Sequence, residues 1–476
     1  MSKGDRRVRM LTSPLVALCV CCATLLLPTF ALSADIGWES EEDVKLQLGR
    51  NREEVYAKCI EEAGLRKQRW ATMSDEARRG ELHRRNHFVP IRGGKFQLGS
   101  PTPVFPFDGE GSRRRVDISP FHAQTFEVSA LEFCLFQLAT NYTTTAEHAL
   151  SSPVPDYFLP ALVKDTSFAV SGLEWWKAVR GATWFSPEGL YSSILCPLCR
   201  DDSCVSTSAS IATCPAAVVS GGGEEGKGGS RLSHPAVHVS MRDAQAYCEY
   251  IGGRLPTEAE FEWMARGGKG KGSFRDYPWG DEEPTQAPYR ANIWTGDFPH
   301  SNSALDGCEG ACPTRSFLRY TNAFGLANVI GNVWEWTQDD WTVRRDKRPA
   351  PSMFAQALKV KKGGSFLCHP DYCKRYRISA RSPLSVESSS YNVGFRCVRG
   401  AGEGGSKVCL SCSSPSSSPS SPPSTSSPPT APAGGGTSPP PPPDARTTPT
   451  SNVGGGKEEG DEKRAERGHG MAEEEL

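Results

Sequence analysis

The polar and apolar pattern is most regular after Ser240, where MRDAQAYCEYIGG places Asp243 at the third helical position and Gly252 as a stop. A second helix opens at Thr257, whose hydroxyl caps the first turn while Glu260 reaches back in a T-x-x-E box, and it ends near Gly267. Upstream, Phe88-Val89-Pro90-Ile91 and Phe96-Gln97-Leu98 are short apolar segments broken by Gly93-Gly94. They predict a hairpin at the start of a compact region opening at His87. Residues 35–86 are charged, with helix predicted around Glu53 to Arg69, and read as an N-terminal extension without recognisable chemistry. From Gly267 to Cys397 the pattern changes: Gly, Pro, Asn and Asp interrupt nearly every apolar run, while Trp279, Trp294, Trp334, Trp336 and Trp341 recur. Many aromatics with little periodicity imply a core built from loops and short strands. Such a core needs staples, here disulfides and bound cations.

The two ends bracket this foldable material. Lys3, Arg6, Arg7 and Arg9 precede an apolar run from Leu11 to Leu32 and the small residues before Asp35, the order of a secretory signal peptide over 1–34. An uncleaved signal anchor is the alternative, and only then would the protein be membrane-bound. Residues 401–476 contain no aromatic residue and are dominated by Ser, Pro, Thr and Gly before a charged terminus, a composition expected to stay disordered. With 54 Lys+Arg against 55 Asp+Glu and a net charge of -1, no uniformly basic face is available for nucleic acid or an anionic membrane. Entry into the secretory pathway gives the 17 cysteines an oxidising compartment and makes Asn141, in Asn141-Tyr142-Thr143, a glycosylation candidate. An insertion over 195–232 holds Cys196, Cys199, Cys204 and Cys214 before a Gly-rich run. Disulfides are favoured there over a four-cysteine zinc knuckle.

The most informative stretch is KKGGSFLCHPDYCKRYR, where Cys368 and Cys373 are separated by four residues. Spacing alone is compatible with a structural disulfide. The basic neighbours Lys374, Arg375 and Arg377 point instead to a reactive thiolate pair, and two soft thiolates suit Cu(I) better than a hard cation.

Six blocks in order, GGRLPTEAEFEWMARGG, YPWGDE, ANIW, NAFGLANVIGNVWEWT, KKGGSFLCHPDYC and NVGFRC, closely resemble the formylglycine-generating enzymes, also called sulfatase-modifying factors, from about His87 to Arg399. The resemblance implies an α+β fold, a single compact C-type lectin-like domain over 87–400 with low regular secondary structure. It implies oxidation of the cysteine of an unfolded Cys-x-Pro-x-Arg segment in new sulfatases to Cα-formylglycine, with molecular oxygen, in the endoplasmic reticulum. By the same resemblance Cys368 and Cys373 fall on the catalytic pair that holds Cu(I), and Ser365 on the active-site serine. Trp334, Arg381 and Asn392 fall on residues lining the oxygen or substrate pocket, with His369 and Tyr372 as further pocket candidates. Non-catalytic relatives lack the two cysteines. The alternative from another class is a lumenal binding module on the same fold, with Cys368 and Cys373 locked in a disulfide.

Two structural Ca2+ sites follow from the same resemblance. Asn292 and Asp306 would give side-chain oxygens and Ile293 and Cys308 carbonyls in the first; Asn328 and Glu335 would give side chains and Gly331 and Val333 carbonyls in the second. Cys308 stands where the family has an aromatic residue, and Cys312 is near enough to pair with it. One family disulfide maps onto Cys248 and Cys397. A second maps onto Ala265 and Ile378, where both halves are absent together. Cys59 and Cys134 remain without an assigned partner.

Overall fold

The computed structural model describes residues 40–202, 229–270, 274–342 and 357–401. The signal segment, Cys204, Cys214 and the Ser/Pro-rich tail lie outside the described residues. The chain opens with α1 (Glu41–Glu62), α2 (Lys67–Thr72) and α3 (Asp75–Arg85), then β1 (Phe88–Ile91), β2 (Gly94–Leu98), β3 (Arg114–Ile118) and β4 (Phe121–Gln124). Next come α4 (Ala130–Thr140), α5 (Thr145–Ala149), β5 (Ser151–Pro155), α6 (Ala161–Thr166), β6 (Phe168–Val170) and β7 (Leu173–Arg180). After the insertion follow α7 (Met241–Tyr250), α8 (Glu258–Ala265), β8 (Gly296–Asp297) and β9 (Ser301–Asn302). β10 (Trp334–Asp340), β11 (Leu358–Lys362), β12 (Arg381–Ser385), β13 (Val393–Gly394) and β14 (Val398–Gly400) complete it. The fold is mixed helix and strand with many loops.

The helices start where local chemistry starts them. Ser40, Ser129, Thr144, Ser240 and Thr257 each cap a helix in a full capping box, with Asp43, Glu132, Glu147, Asp243 and Glu260 reaching back. Both helices expected after the insertion form as read.

The hairpin expected at Gly93-Gly94 does not form. β1 pairs antiparallel with β4, which also pairs with β14, whereas β2 pairs with β3. These glycines serve close packing: a Cβ on Gly93 would lie 2.4 Å from the Ile118 carbonyl oxygen, and one on Gly94 would lie 2.6 Å from the Trp263 ring.

The segment read as an extension also differs from expectation. Its first helix spans Glu41–Glu62, and Val44, Leu48, Val55, Cys59, Trp70 and Leu82 are buried in the main core. Val44, Leu48, Val55 and Cys59 recur at helical spacing and so share one face, and Cys59 is bonded to Cys134 of α4.

Cys248 and Cys397 are bonded as the resemblance implies, and Cys308 pairs with Cys312. Cys196 and Cys199 are disulfide-bonded. Ala265 and Ile378 are both fully buried, filling the space of the missing staple with apolar atoms. A second apolar cluster, with Trp176, Val179, Trp294, Phe366, Leu367 and Tyr391, backs the sheet β5–β7–β6 and underlies the segment that carries Cys368.

Candidate active site

β11 ends at Lys362, and Gly363 and Gly364 follow with φ of 92° and 73°, a left-handed reversal that side chains resist. A Cβ on Gly364 would come within 2.8 Å of the Tyr376 backbone, so the glycine lets the segment after Cys373 press against the segment before Cys368. Two tight turns then set the sulfurs. The Cys368 amide donates to the Ser365 carbonyl at 2.9 Å, and the Cys373 amide donates to the His369 carbonyl at 2.9 Å. The two Sγ atoms lie 2.6 Å apart, and both cysteines are fully buried and stand outside any disulfide. That separation exceeds a disulfide bond, which is about 2.05 Å.

Strands distant in sequence hold this loop. Asn392 Nδ2 donates to Ser365 Oγ at 3.1 Å, while Ser390 Oγ donates to Asn392 Oδ1 at 2.8 Å and fixes the amide. The Trp334 amide donates to the Asn392 carbonyl at 2.9 Å, and the Trp294 amide donates to the Cys368 carbonyl at 3.1 Å. Ser365, Asn392, Trp334 and the cysteine pair thus form one connected buried group. The Trp334 indole Nε1 is buried with no hydrogen-bond partner among the described residues, and the Lys361 ammonium lies 4.6 Å from its ring centroid. An orphaned buried donor costs about 1–3 kcal/mol and is what a bound acceptor would satisfy.

His369 and Tyr372 form the outer rim. Tyr372 stacks on Phe298 with centroids 4.4 Å apart, and Phe298 stacks on His369 at 6.5 Å. Trp175 meets Phe298 and Tyr372 edge-on at 5.1 and 5.9 Å. Trp175 and Phe298 went unnoticed in the sequence, where one is half of a Trp-Trp pair in a divergent strand and the other sits in a short loop.

Arg381 goes elsewhere. Its guanidinium donates to both carboxylate oxygens of Glu258 at 2.8 and 3.1 Å and to the Asp108 carbonyl at 3.0 Å, and it is fully buried. Lys362 reaches Glu262 at 3.1 Å in the same network, where Arg266 also pairs with Glu262 at 3.0 Å. These contacts place Arg381 in an internal ion-pair network with Glu258. The basic residues after Cys373 are likewise committed: Lys374 to Glu283 at 2.5 Å, Arg375 to Asp108 at 2.8 Å and Arg377 to Glu110 at 2.8 Å. Their charge is offset by carboxylates, which corrects the expectation that they activate the thiols. Burial, followed by Glu283, Tyr277 and the two cysteines, pushes the Tyr376 phenol up, so it stays protonated beside the pair.

The two oxygen-rich loops are formed. Asp306 accepts the amides of Ile293 at 2.9 Å and Cys308 at 3.2 Å, and burial pushes its carboxyl up to about 6. No basic side chain pairs with it among the described residues. Asn292, the other side chain of this loop, is buried and donates to the Gly310 carbonyl at 2.8 Å. In the second loop Gly331 and Val333 flank Asn332, and Glu335 is already held by Arg396 through two hydrogen bonds of 2.6 and 2.7 Å. The uncompensated carboxylate there is Glu127, which accepts Asn328 Nδ2 at 3.2 Å and Asn332 Nδ2 at 2.9 Å. Burial pushes Glu127 up to about 7, with Glu335 adding to the effect and Arg396 opposing it. Two buried carboxylates against one guanidinium leave a negative excess that a hard cation fits. Nothing in the sequence around Glu127 marks it as a cation ligand.

The donor set at Cys368 and Cys373 fits a two-coordinate soft ion, since among the described residues no cluster of three or more His, Cys, Asp or Glu surrounds it. The sulfurs must part to take an ion between them.

A buried unbonded cysteine pair, on a loop fixed by a serine and an asparagine in a loop-built α+β domain, defines a class of thiol-bearing sites on this fold. The family model described as Sulfatase-modifying factor enzyme 1-like domain matches residues 72–401, and the chain belongs to this family. It is 39% identical over 313 residues to the formylglycine-generating enzyme of Bos taurus, covering 65% of this chain and 73% of that protein. Against the formylglycine-generating enzyme of Thermomonospora curvata it is 38% identical over 328 residues, 65% of this chain and 92% of the other. A protein of Bos taurus named inactive C-alpha-formylglycine-generating enzyme 2 is 33% identical over 319 residues, covering 66% and 89%.

Proposed function

We propose that this protein oxidises the cysteine of a Cys-x-Pro-x-Arg segment in newly made sulfatases to Cα-formylglycine, using molecular oxygen and Cu(I) held by Cys368 and Cys373. The observation that carries the reading is the cysteine pair itself: buried, adjacent and unbonded in a chain whose other described cysteines are all bonded. Cu(I) between two thiolates would supply oxygen activation and a place for the substrate thiolate as a further sulfur ligand. The chain's own residues do the rest. Ser365, fixed by Asn392, places a hydroxyl beside Cys368. The buried shell of Trp334, Phe366 and Leu367 keeps water from the pair. The rim of Trp175, Phe298, Tyr372 and His369 offers an aromatic surface on which an extended peptide with a proline can lie.

In this reading two Ca2+ ions occupy the loops of Asn292, Ile293, Asp306 and Cys308 and of Asn328, Gly331, Val333 and Glu335, with Glu127 joining the second. Residues 1–34 direct the chain to the endoplasmic reticulum lumen, where unfolded sulfatases are the partners.

The test is conversion of a Cys-x-Pro-x-Arg peptide by purified protein with copper, reductant and oxygen, read as the aldehyde by mass spectrometry. Wild type should convert it and Cys373→Ser should not. Absence of product from folded wild type, or equal product from Cys373→Ser, refutes the proposal and leaves the binding module.

A further inference from the structure

The Cys308–Cys312 disulfide closes the short ring CEGAC, and each part of that ring supports a different oxygen-bearing side chain. At its start, the Cys308 amide donates to Asp306 Oδ1 at 3.2 Å. Midway, the Gly310 carbonyl accepts Asn292 Nδ2 at 2.8 Å. At its end, the Cys312 amide donates to Asn332 Oδ1 at 2.8 Å, and the Cys312 carbonyl accepts Asn332 Nδ2 at 3.3 Å. Asn332 donates in turn to Glu127 at 2.9 Å, and Asn292 donates to Asn332 Oδ1 at 3.0 Å. The ring therefore carries supports of both oxygen clusters at once. A glycine-containing loop of this length, without the bond, would sample many conformations and would hold neither end in place.

The bond is also reachable. Cys312 is buried at 1% exposure, but Cys308 is only partly covered, and a cavity of about 600 Å³ is lined by both cysteines together with Arg315, Phe317, Arg319 and Tyr320. Two guanidinium groups against the single Asp306 carboxylate on the wall favour an anionic visitor.

We propose that Cys308–Cys312 is a thiol-exchangeable clasp holding both oxygen clusters in their cation-binding arrangement, opened by a small thiol that carries carboxylates. The inference rests on reading the two clusters as Ca2+ sites. The thiolate of the first small molecule attacks the Cys308 sulfur, forming a mixed disulfide, and Cys312 leaves as a thiolate that takes up the proton the attacking thiol released. A second thiol attacks the mixed disulfide, freeing Cys308 as a thiol and releasing the small-molecule disulfide. Two electrons pass from the two small thiols to the protein bond. Opened, the ring no longer orders Asp306, Asn292 and Asn332, and Ca2+ binds more weakly.

The experiment treats the folded full chain with glutathione under native conditions, alkylates it and maps the modified cysteines by peptide mass. Calorimetric Ca2+ titration is run before and after opening, and on the variant Cys308→Ala with Cys312→Ala. The expected result is alkylation at Cys308 and Cys312 while Cys248–Cys397 stays bonded, and a roughly tenfold loss of Ca2+ affinity, the scale for losing the outer supports of metal ligands. Tryptophan emission should match that of the oxidised protein. Equal Ca2+ affinity in the oxidised and opened forms overturns the clasp and leaves the calcium reading standing. No Ca2+ uptake by the oxidised protein overturns that reading and the clasp with it. Resistance of Cys308–Cys312 to glutathione overturns the exchange even if the alanine variant binds Ca2+ weakly. Loss of native emission on opening shows a staple for the whole fold and also overturns the proposal.

Discussion

Around Cys248 and Cys397, two cysteines from α7 and the strand region before β14 are joined, in a layer of capped helices packed on apolar faces. Around Cys368 and Cys373, two cysteines lie 2.6 Å apart without a bond, in a region of turns whose polar groups are satisfied by partners far along the chain. Both pairs are fully buried. In the helical layer, backbone hydrogen bonds are made locally, so burial needs only an apolar face. In the loop region short turns make only part of these bonds locally, and buried Asn, Ser, Glu and Arg side chains supply others. The loop that carries the cysteine pair is held by contacts other than a disulfide between the two.

The largest expected effect tests that division directly. Cys368→Ser should abolish peptide conversion to background while leaving the thermal midpoint close to wild type, because no bond is lost; a large fall in midpoint with conversion retained would reverse the comparison. Next, Arg396→Met should cost about 3–5 kcal/mol in chemical unfolding, because it strands the buried Glu335 and Glu127 carboxylates that it now faces. A loss below about 1 kcal/mol would show that the loop region does not depend on its ion pairs.

The segment joining the two regions should respond to acid. His238 is fully buried and His234 is half-buried, and desolvation pushes both down to about 4. His238 contacts Ser152 Oγ at 2.8 Å and the Pro187 carbonyl at 2.9 Å as a neutral ring. Unfolded, both would titrate near about 6.5. The unfolded chain thus binds more protons between about 6.5 and 4, and stability present above that window is lost as pH falls through it. Unfolding midpoints at pH 7 and pH 5 should differ by on the order of 1–3 kcal/mol for this pair, and equal midpoints would contradict their burial as neutral rings. The smallest effect belongs to the helices: Thr257→Ala removes the α8 cap and should cost about 1 kcal/mol, with peptide conversion unchanged.

The comparison also explains what was legible in the chain. Capping boxes at Ser240 and Thr257 announced α7 and α8 because their partners lie three residues away. Gly93-Gly94 misled, since a glycine required by a close approach looks the same in sequence as one required by a turn. Arg381 was read as a pocket residue, and its guanidinium lies on Glu258, 123 positions away. Lys374, Arg375 and Arg377 suggested activated thiols, an inference that fails once Glu283, Asp108 and Glu110 are placed opposite them. Glu127 and the rim residues Trp175 and Phe298 carried no local mark at all.

By itself the sequence determined the local starts and stops of helices, the cysteine inventory and the ordered blocks that place the chain in its family, because those signals act over a few residues or are read as strings. Tertiary structure alone decided that Cys59 meets Cys134, which carboxylate meets which guanidinium, and which amide holds Ser365 beside Cys368. Those outcomes depend on distances between segments that are remote from one another in sequence, from 27 residues for Asn392 and Ser365 to 123 for Arg381 and Glu258, and burial makes the cost of each unmatched charge or donor large enough to select one arrangement.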